Sequence, residues 1–253
     1  LEKKYGLQEC IVVPVTECEN QREKVNEEAA QYLLRILKDH MTLGITWGLT
    51  IGSLIEYLKA KKIPFHKKGI KVLPFVGTAI LQDADHALQK NHANLYALEL
   101  AEVLKGVGYQ LPAPMYVSSP EAKEVFEKDP LIARVLNLTK KADLGLLPIG
   151  QLSKEASIVR TGVLSLEEMD QLQKEGAVGE VLGNFFKEDG TFLKTEMQKR
   201  VIGISKEELF QIPLRVGIAY GKSRVKAIRG AAGNKIINVL ITDSITARGL
   251  IEG

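Results

Sequence analysis

Six short apolar runs punctuate the chain, and each is apolar on consecutive residues instead of alternate ones: CIVVPV (10–15), LGITWG (43–48), GIKVLPFVG (69–77), DLGLLPIG (143–150), LRVGIAYG (214–221) and NVLITD (238–243). A strand apolar on both faces must be covered on both faces, which is the condition of a parallel sheet between helical layers. The intervening sequence supplies the helices. In NQREKVNEEAAQYLLRILKD, Val25, Ala29, Leu33, Ile36 and Leu37 recur at helical spacing. TIGSLIEYLKA follows the second run, and NHANLYALELAEVLKG, with apolar residues at 95, 98, 100 and 103, follows the third. Strand and helix in alternation predict an α/β fold with a doubly wound, mostly parallel sheet.

The middle of the chain is less regular. Prolines fall at 112, 114, 120 and 130, and Ser118–Ser119–Pro120 is a helix-start signal. GNFFKEDGTFLKTEM (183–197) predicts a hairpin about Asp189–Gly190. These segments predict a smaller inserted subdomain within 107–200 of a domain that spans 1–253. With 253 residues and a net charge of +3 on scattered lysines, the chain can bury a sizeable core and gives no electrostatic argument for nucleic acid or membrane. Cys10 and Cys18 make neither a disulfide framework nor a zinc site. The histidines at 40, 66, 86 and 92 lack metal-ligand spacing, so no metal is expected. No Walker A, G-x-S-x-G or post-strand G-x-G-x-x-G pattern occurs.

In an open parallel sheet, ligands bind beyond the carboxyl ends of the strands, so the turns there are the candidates. Gly48–Leu49–Thr50 follows the second run; small residues let backbone amides approach an anion, and Thr50 can either cap the helix or meet a phosphate. Tyr220–Gly221–Lys222–Ser223–Arg224 carries two cations at a helix start, where the dipole disfavours them unless an anion is bound. Asp243 reads as an N-cap. Glu180, in GAVGEVLG, reads either as an acid in a helix's first turn or as an acceptor for a ligand hydroxyl.

The collinear series LGITWGLT, LPFVGTA, NHANLYALELAEVL, LPAPMYVSSPEAKEVF, ADLGLLPIG, SIVRTGVLS, GAVGEVLGNFFKEDG and INVLITDSITARGLI resembles the effector-binding domain of SorC/DeoR-type bacterial transcriptional regulators, over essentially the whole chain. The resemblance implies a fold similar to ribose-phosphate isomerase, glucosamine-phosphate deaminase and CoA-transferase. It implies a non-enzymatic, cytoplasmic sensor of a phosphorylated sugar, without cofactor, that forms a dimer or tetramer. Operator DNA would be met only through a helix-turn-helix preceding LEKKYGLQECIVVP, and no membrane is involved. The family's phosphate cradle falls on Gly48, Leu49 and Thr50, and its lysine after the A-G-G glycines falls on Arg224, following Ala219–Tyr220–Gly221. Glu180, Arg160, His92 and Gly77 match positions about the sugar. Tyr220 in place of glycine, and Val76 where some relatives carry arginine, depart from the pattern. The competing expectation is a sugar-phosphate isomerase or deaminase of the same fold.

Overall fold

The computed structural model describes residues 1–16, 19–62, 64–79 and 92–252. Its strands are β1 (Glu9–Val13), β2 (Thr42–Ile45), β3 (Lys71–Pro74), β4 (Val107–Gly108), β5 (Leu144–Pro148), β6 (Gly150–Gln151), β7 (Ala177–Val181), β8 (Asn184–Lys187), β9 (Leu214–Ile218) and β10 (Val239–Asp243). The described helices are α1 (Glu2–Tyr5), α2 (Gln21–Ile36), α3 (Leu49–Lys61), α4 (Ala93–Val103), α5 (Pro120–Lys128), α6 (Pro130–Thr139), α7 (Ser157–Arg160), α8 (Leu166–Lys174), α9 (Lys206–Gln211), α10 (Val225–Gly233) and α11 (Ser244–Glu252). None of them is long and apolar enough to cross a membrane.

All six apolar runs become strands of one parallel sheet, in the order β1-β10-β9-β5-β2-β3-β4. From β2 the chain winds outward through β3 to β4. It then returns to the other side of β2 as β5 and continues outward through β9 and β10 toward β1. The winding direction reverses between β2 and β5, the place where a doubly wound sheet opens a crevice at its carboxyl end. The edge strand β4 was not foreseen: Val107–Gly108 is two residues long and has no apolar run to mark it.

One face of the sheet presents Leu43, Ile45, Leu144, Leu146, Val216 and Ile218 to α2, α3 and α4. The helical spacing of α2 is as expected, with Val25, Ala29 and Leu33 buried. In α4 the buried side is Ala93, Tyr96, Ala97, Leu100 and Ala101, while Leu98 is exposed. Of the apolar positions expected to mark this helix, Leu100 is buried, Leu95 and Val103 are partly buried and only Leu98 faces outward, while the alanines share the inward side.

The other face of β2 and β5 carries glycine at paired positions, Gly44 opposite Gly145. The wholly buried ring of Phe75, just beyond β3, fills the space they leave. A Cβ on Gly145 would lie 2.8 Å from the ring, and one on Gly44 would fall within it. The same face is covered by α9, α10 and the small antiparallel sheet β6-β7-β8, whose Phe185 and Phe186 join Leu147 and Leu240 in one cluster. A separate small core of Leu111, Val117, Ile132, Leu136 and Ile202 lies under α5 and α6. The start signal at 118–120 is realised: Ser119 accepts from the Ala122 N–H and Pro120 opens α5. The chain also doubles back at Asp189–Gly190, where the Lys187 N–H donates to the Thr191 carbonyl.

Gly44→Ala is expected to lower stability by about 1–3 kcal/mol, read as a drop in the urea midpoint. An unchanged midpoint would mean that the Phe75 ring is not held against β2.

Candidate functional site

Three adjacent strands, β2, β5 and β9, end on the same side of the sheet, and the residues after each of them line one cleft of about 150 Å³. After β2 come Trp47, Gly48, Leu49 and Thr50. Gly48 has φ 123°, a conformation that side-chain-bearing residues rarely adopt, and it is the last of the three residues in which the chain turns from β2 into α3. The amino end of α3 therefore opens on the cleft, with no acidic residue in its first turn and no side-chain cap from Gly48. Thr50 is inside the helix and does not cap it.

After β9 come Tyr220 and Arg224, held by a buried carboxylate at the end of the neighbouring strand. Asp243 accepts from the N–H groups of Ile245 (2.9 Å) and Thr246 (2.8 Å), which caps α11 as expected. It also accepts from the Thr246 hydroxyl and from the Gly221 N–H at 3.1 Å. Gly221, at φ 97°, donates to Thr246 Oγ1 as well, at 2.7 Å. With Asp243 wholly buried, the Tyr220–Arg224 turn is fixed from beneath. The Arg224 guanidinium donates to the Tyr220 carbonyl (2.7 Å) and lies 5.2 Å from the Tyr220 ring centroid, a cation–π distance.

The opposite wall comes from the small sheet. Because β6 follows β5 after one residue and Gly150 pairs with Glu180, β7 carries Glu180 over the end of β5. The structure corrects the helix-start alternative for Glu180: the residue is in a strand. Leu182 and Gly183, both at positive φ (54° and 74°), form a two-residue hairpin loop into β8, and the alternation of Ala177–Val181 fits a strand. Glu180 Oε1 accepts from the Gly183 N–H at 2.5 Å. Burial pushes its carboxyl up to about 7, against the lowering effect of that hydrogen bond. Glu155, also on the lining, is exposed, and hydrogen bonds from its own N–H and from Ser153 hold it below the usual carboxylate range.

Of the residues singled out from sequence, Gly48, Leu49, Thr50, Glu180 and Arg224 share this cleft, and Arg160, His92 and Gly77 lie off its lining. His92 caps α4, its Nδ1 accepting from the Leu95 N–H at 3.2 Å, and burial lowers its pKa. Gly77 is packed against backbone: a Cβ there would meet the carbonyl oxygens of Ala113 and Pro114 at 2.5 Å. Arg160 closes α7, whose first residue, Ser157, does reach the cleft. Val76 is buried and bridges Gly203. Sequence reasoning missed Arg22, from the first turn of α2, and Thr46 and Gln151 at the strand ends. Thr46 Oγ1 and Gln151 Oε1 are buried without a hydrogen-bond partner among the described residues. The only sequence signal for Arg22 is a cation at the positive end of a helix. No group of acids, cysteines and histidines among the described residues could hold a metal, and His86 and Cys18 lie outside them.

The profile of the family described as "Putative sugar-binding domain" matches residues 1–252. The deoxyribonucleoside regulator of Bacillus subtilis (strain 168) is 29% identical over 258 residues, covering all of this chain and 78% of its own length. The transcriptional regulator LsrR of Klebsiella pneumoniae subsp. pneumoniae is 27% identical over 255 residues, covering 99% of this chain and 74% of its own length. Among solved structures, a DeoR family transcriptional regulator from Listeria monocytogenes superposes with a TM-score of 0.87 at 27% identity, covering 98% of this chain and 96% of the other. The full-length sorbitol operon regulator SorC from Klebsiella pneumoniae has the same fold, with a TM-score of 0.86 at 22% identity over 99% of this chain and 78% of its own.

Glu180→Gln is expected to remove a pH dependence of stability. The unfolded chain loses the Glu180 proton near 4.5, but the native chain keeps it up to about 7. Relative to the variant, the wild type therefore loses stability between those values and no more above them. Urea midpoints that run parallel from pH 4 to 8 would contradict this.

Proposed function

Given that the chain belongs to the sugar-binding domain family carried by SorC/DeoR-type transcriptional regulators, we propose that the cleft beyond β2, β5 and β9 holds a phosphorylated sugar or polyol. The phosphoryl group meets the first amides of α3, at Gly48, Leu49 and Thr50, together with the Arg224 guanidinium. Glu180 accepts from a sugar hydroxyl. One observation carries the reading: two features that favour an anion, a helix amino end with no acidic residue in its first turn and an arginine, are delivered to one cleft by separate strands. The relatives' names support a hydroxylated ligand class, since they include a sorbitol operon regulator and an erythritol catabolism regulatory protein. In this reading ligand binding is relayed to a homo-oligomer, a dimer or tetramer in the cytoplasm, and through it to operator DNA contacted outside these residues.

The domain senses its ligand and does not convert it. A carboxyl titrating near neutrality, as Glu180 does, is the group an isomerase or deaminase would use, so turnover is the specific alternative. It would need a second proton-transfer group. Glu155, the other acid on the lining, is exposed and held ionised by its hydrogen bonds.

A panel of sugar phosphates and their unphosphorylated counterparts, followed by thermal unfolding, tests the reading. One phosphorylated member is expected to stabilise the domain, by about 2.7 kcal/mol at a hundred times its Kd; its unphosphorylated form gives no shift, and Arg224→Ala abolishes the response without unfolding the protein. The stabilising ligand is recovered unchanged by NMR after prolonged incubation. Turnover of that ligand would transfer the reading to the enzyme, and the absence of any phosphate-dependent shift would remove it.

A further inference from the structure

Arg22 is the cleft residue whose position has no explanation within the fold. It lies on the second residue of α2, in the turn where the helix dipole repels a cation. It is exposed, and among the described residues it makes no hydrogen bond and no ion pair. Glu23, its neighbour in the first turn, forms no ion pair with it among the described residues, and the next acids along the chain are engaged elsewhere: Glu19 accepts from the Thr16 N–H and pairs with Lys24, and Glu27 accepts from the Tyr57 hydroxyl. Yet its side chain lines the same cleft as Arg224 and the amino end of α3. A second observation points to a ligand there. Thr46, on the same lining, is 3% exposed, and its hydroxyl oxygen has no hydrogen-bond partner among the described residues.

We propose that Arg22 and Arg224 together grip one phosphoryl group, and that the cleft thereby selects a dianionic phosphate monoester over a monoanionic diester. The inference rests on the reading of the cleft as a sugar-phosphate site and adds the charge state of the ligand. Two guanidinium forks offer donors to more than one non-ester oxygen, and their summed charge matches the two negative charges that a monoester carries above its second pKa of about 6. A diester has lost one charge and one terminal oxygen, which leaves one fork without a full partner. Arg22 gains an anionic partner, which it lacks among the described residues.

Methyl phosphate and dimethyl phosphate serve as probes, at about pH 8 where the monoester is doubly ionised. The readout is the fluorescence of Trp47, the single tryptophan, which lines the cleft. Wild type is expected to bind methyl phosphate more tightly than dimethyl phosphate. Arg22→Ala weakens methyl phosphate about tenfold and dimethyl phosphate by less than about threefold, and Arg22→Lys falls between wild type and Arg22→Ala for the monoester. The melting temperature without ligand does not fall, since Arg22 is exposed and lies where the helix dipole disfavours a cation. If Arg22→Ala binds methyl phosphate as wild type does while Arg224→Ala loses it, the two-arginine grip is overturned and the sugar-phosphate reading stands. Equal weakening of both probes overturns the selection for the dianion. If wild type responds neither to methyl phosphate nor to any sugar phosphate, both readings fall together.

Discussion

The ring of Phe75 against Gly44 and Gly145 is the contact on which the site depends. The two glycines are paired across β2 and β5, the strands between which the winding of the sheet reverses. With any larger residue at either position, the ring could not lie against the sheet, and the segment it anchors would have to stand off. The two strand ends that begin the cleft, Thr46–Gly48 and Pro148–Gly150, are therefore set by how closely a third segment packs beneath them. Interior packing of this density tolerates little displacement, so the backbone that enters the cleft is held by the core and not by loop structure.

A second constraint acts at the far side of the cleft. Asp243 is wholly buried and accepts hydrogen bonds from three backbone N–H groups and one hydroxyl. Its charge is compensated by oriented donors, as a buried carboxylate must be. One of those donors belongs to Gly221, which has the backbone geometry that puts Arg224 over Tyr220. The arginine is thus positioned from beneath by a residue of the next strand, and its guanidinium is oriented by stacking before any ligand arrives. Pre-orientation of this kind lowers the entropic cost of binding.

What the sequence discloses and what it hides follow from the range of the interactions. Consecutive apolar residues mark the strands of the main sheet, where all six such runs lie; five are buried on both faces and β1, at the edge, leaves Val12 exposed. A two-residue edge strand at Val107–Gly108 leaves no such trace. Glu180 was ambiguous because glycines at 176, 179 and 183 obscure the alternation of β7, and the Leu182–Gly183 loop lacks the Asn-Gly or Asp-Gly signature of a two-residue turn. On α4, Leu100 is buried as its spacing implies and Leu98 is not, because Ala93, Ala97 and Ala101, too small to mark a face in the sequence, share the inward side with Leu100. At the cleft, residues directly following strands could be read from the chain. Arg22 could not, since it precedes β2 by a whole helix and reaches the cleft only through the packing of α2 on α3 and β10. His92 and Gly77 have local structural duties, a helix cap and a close backbone contact, that sequence alone does not distinguish from ligand contacts.

The central claim is that one phosphoryl group touches the amides at 48–50 and the Arg224 guanidinium at the same time. Nitrogen-15 NMR of the domain, titrated with the sugar phosphate that stabilises it, measures this directly. The account predicts that the amide resonances of Gly48, Leu49 and Thr50 and the Nε resonance of Arg224 move together along one binding curve with a single Kd. Amides at 48–50 that stay still while the ligand binds, or that follow a different Kd from Arg224, would contradict it.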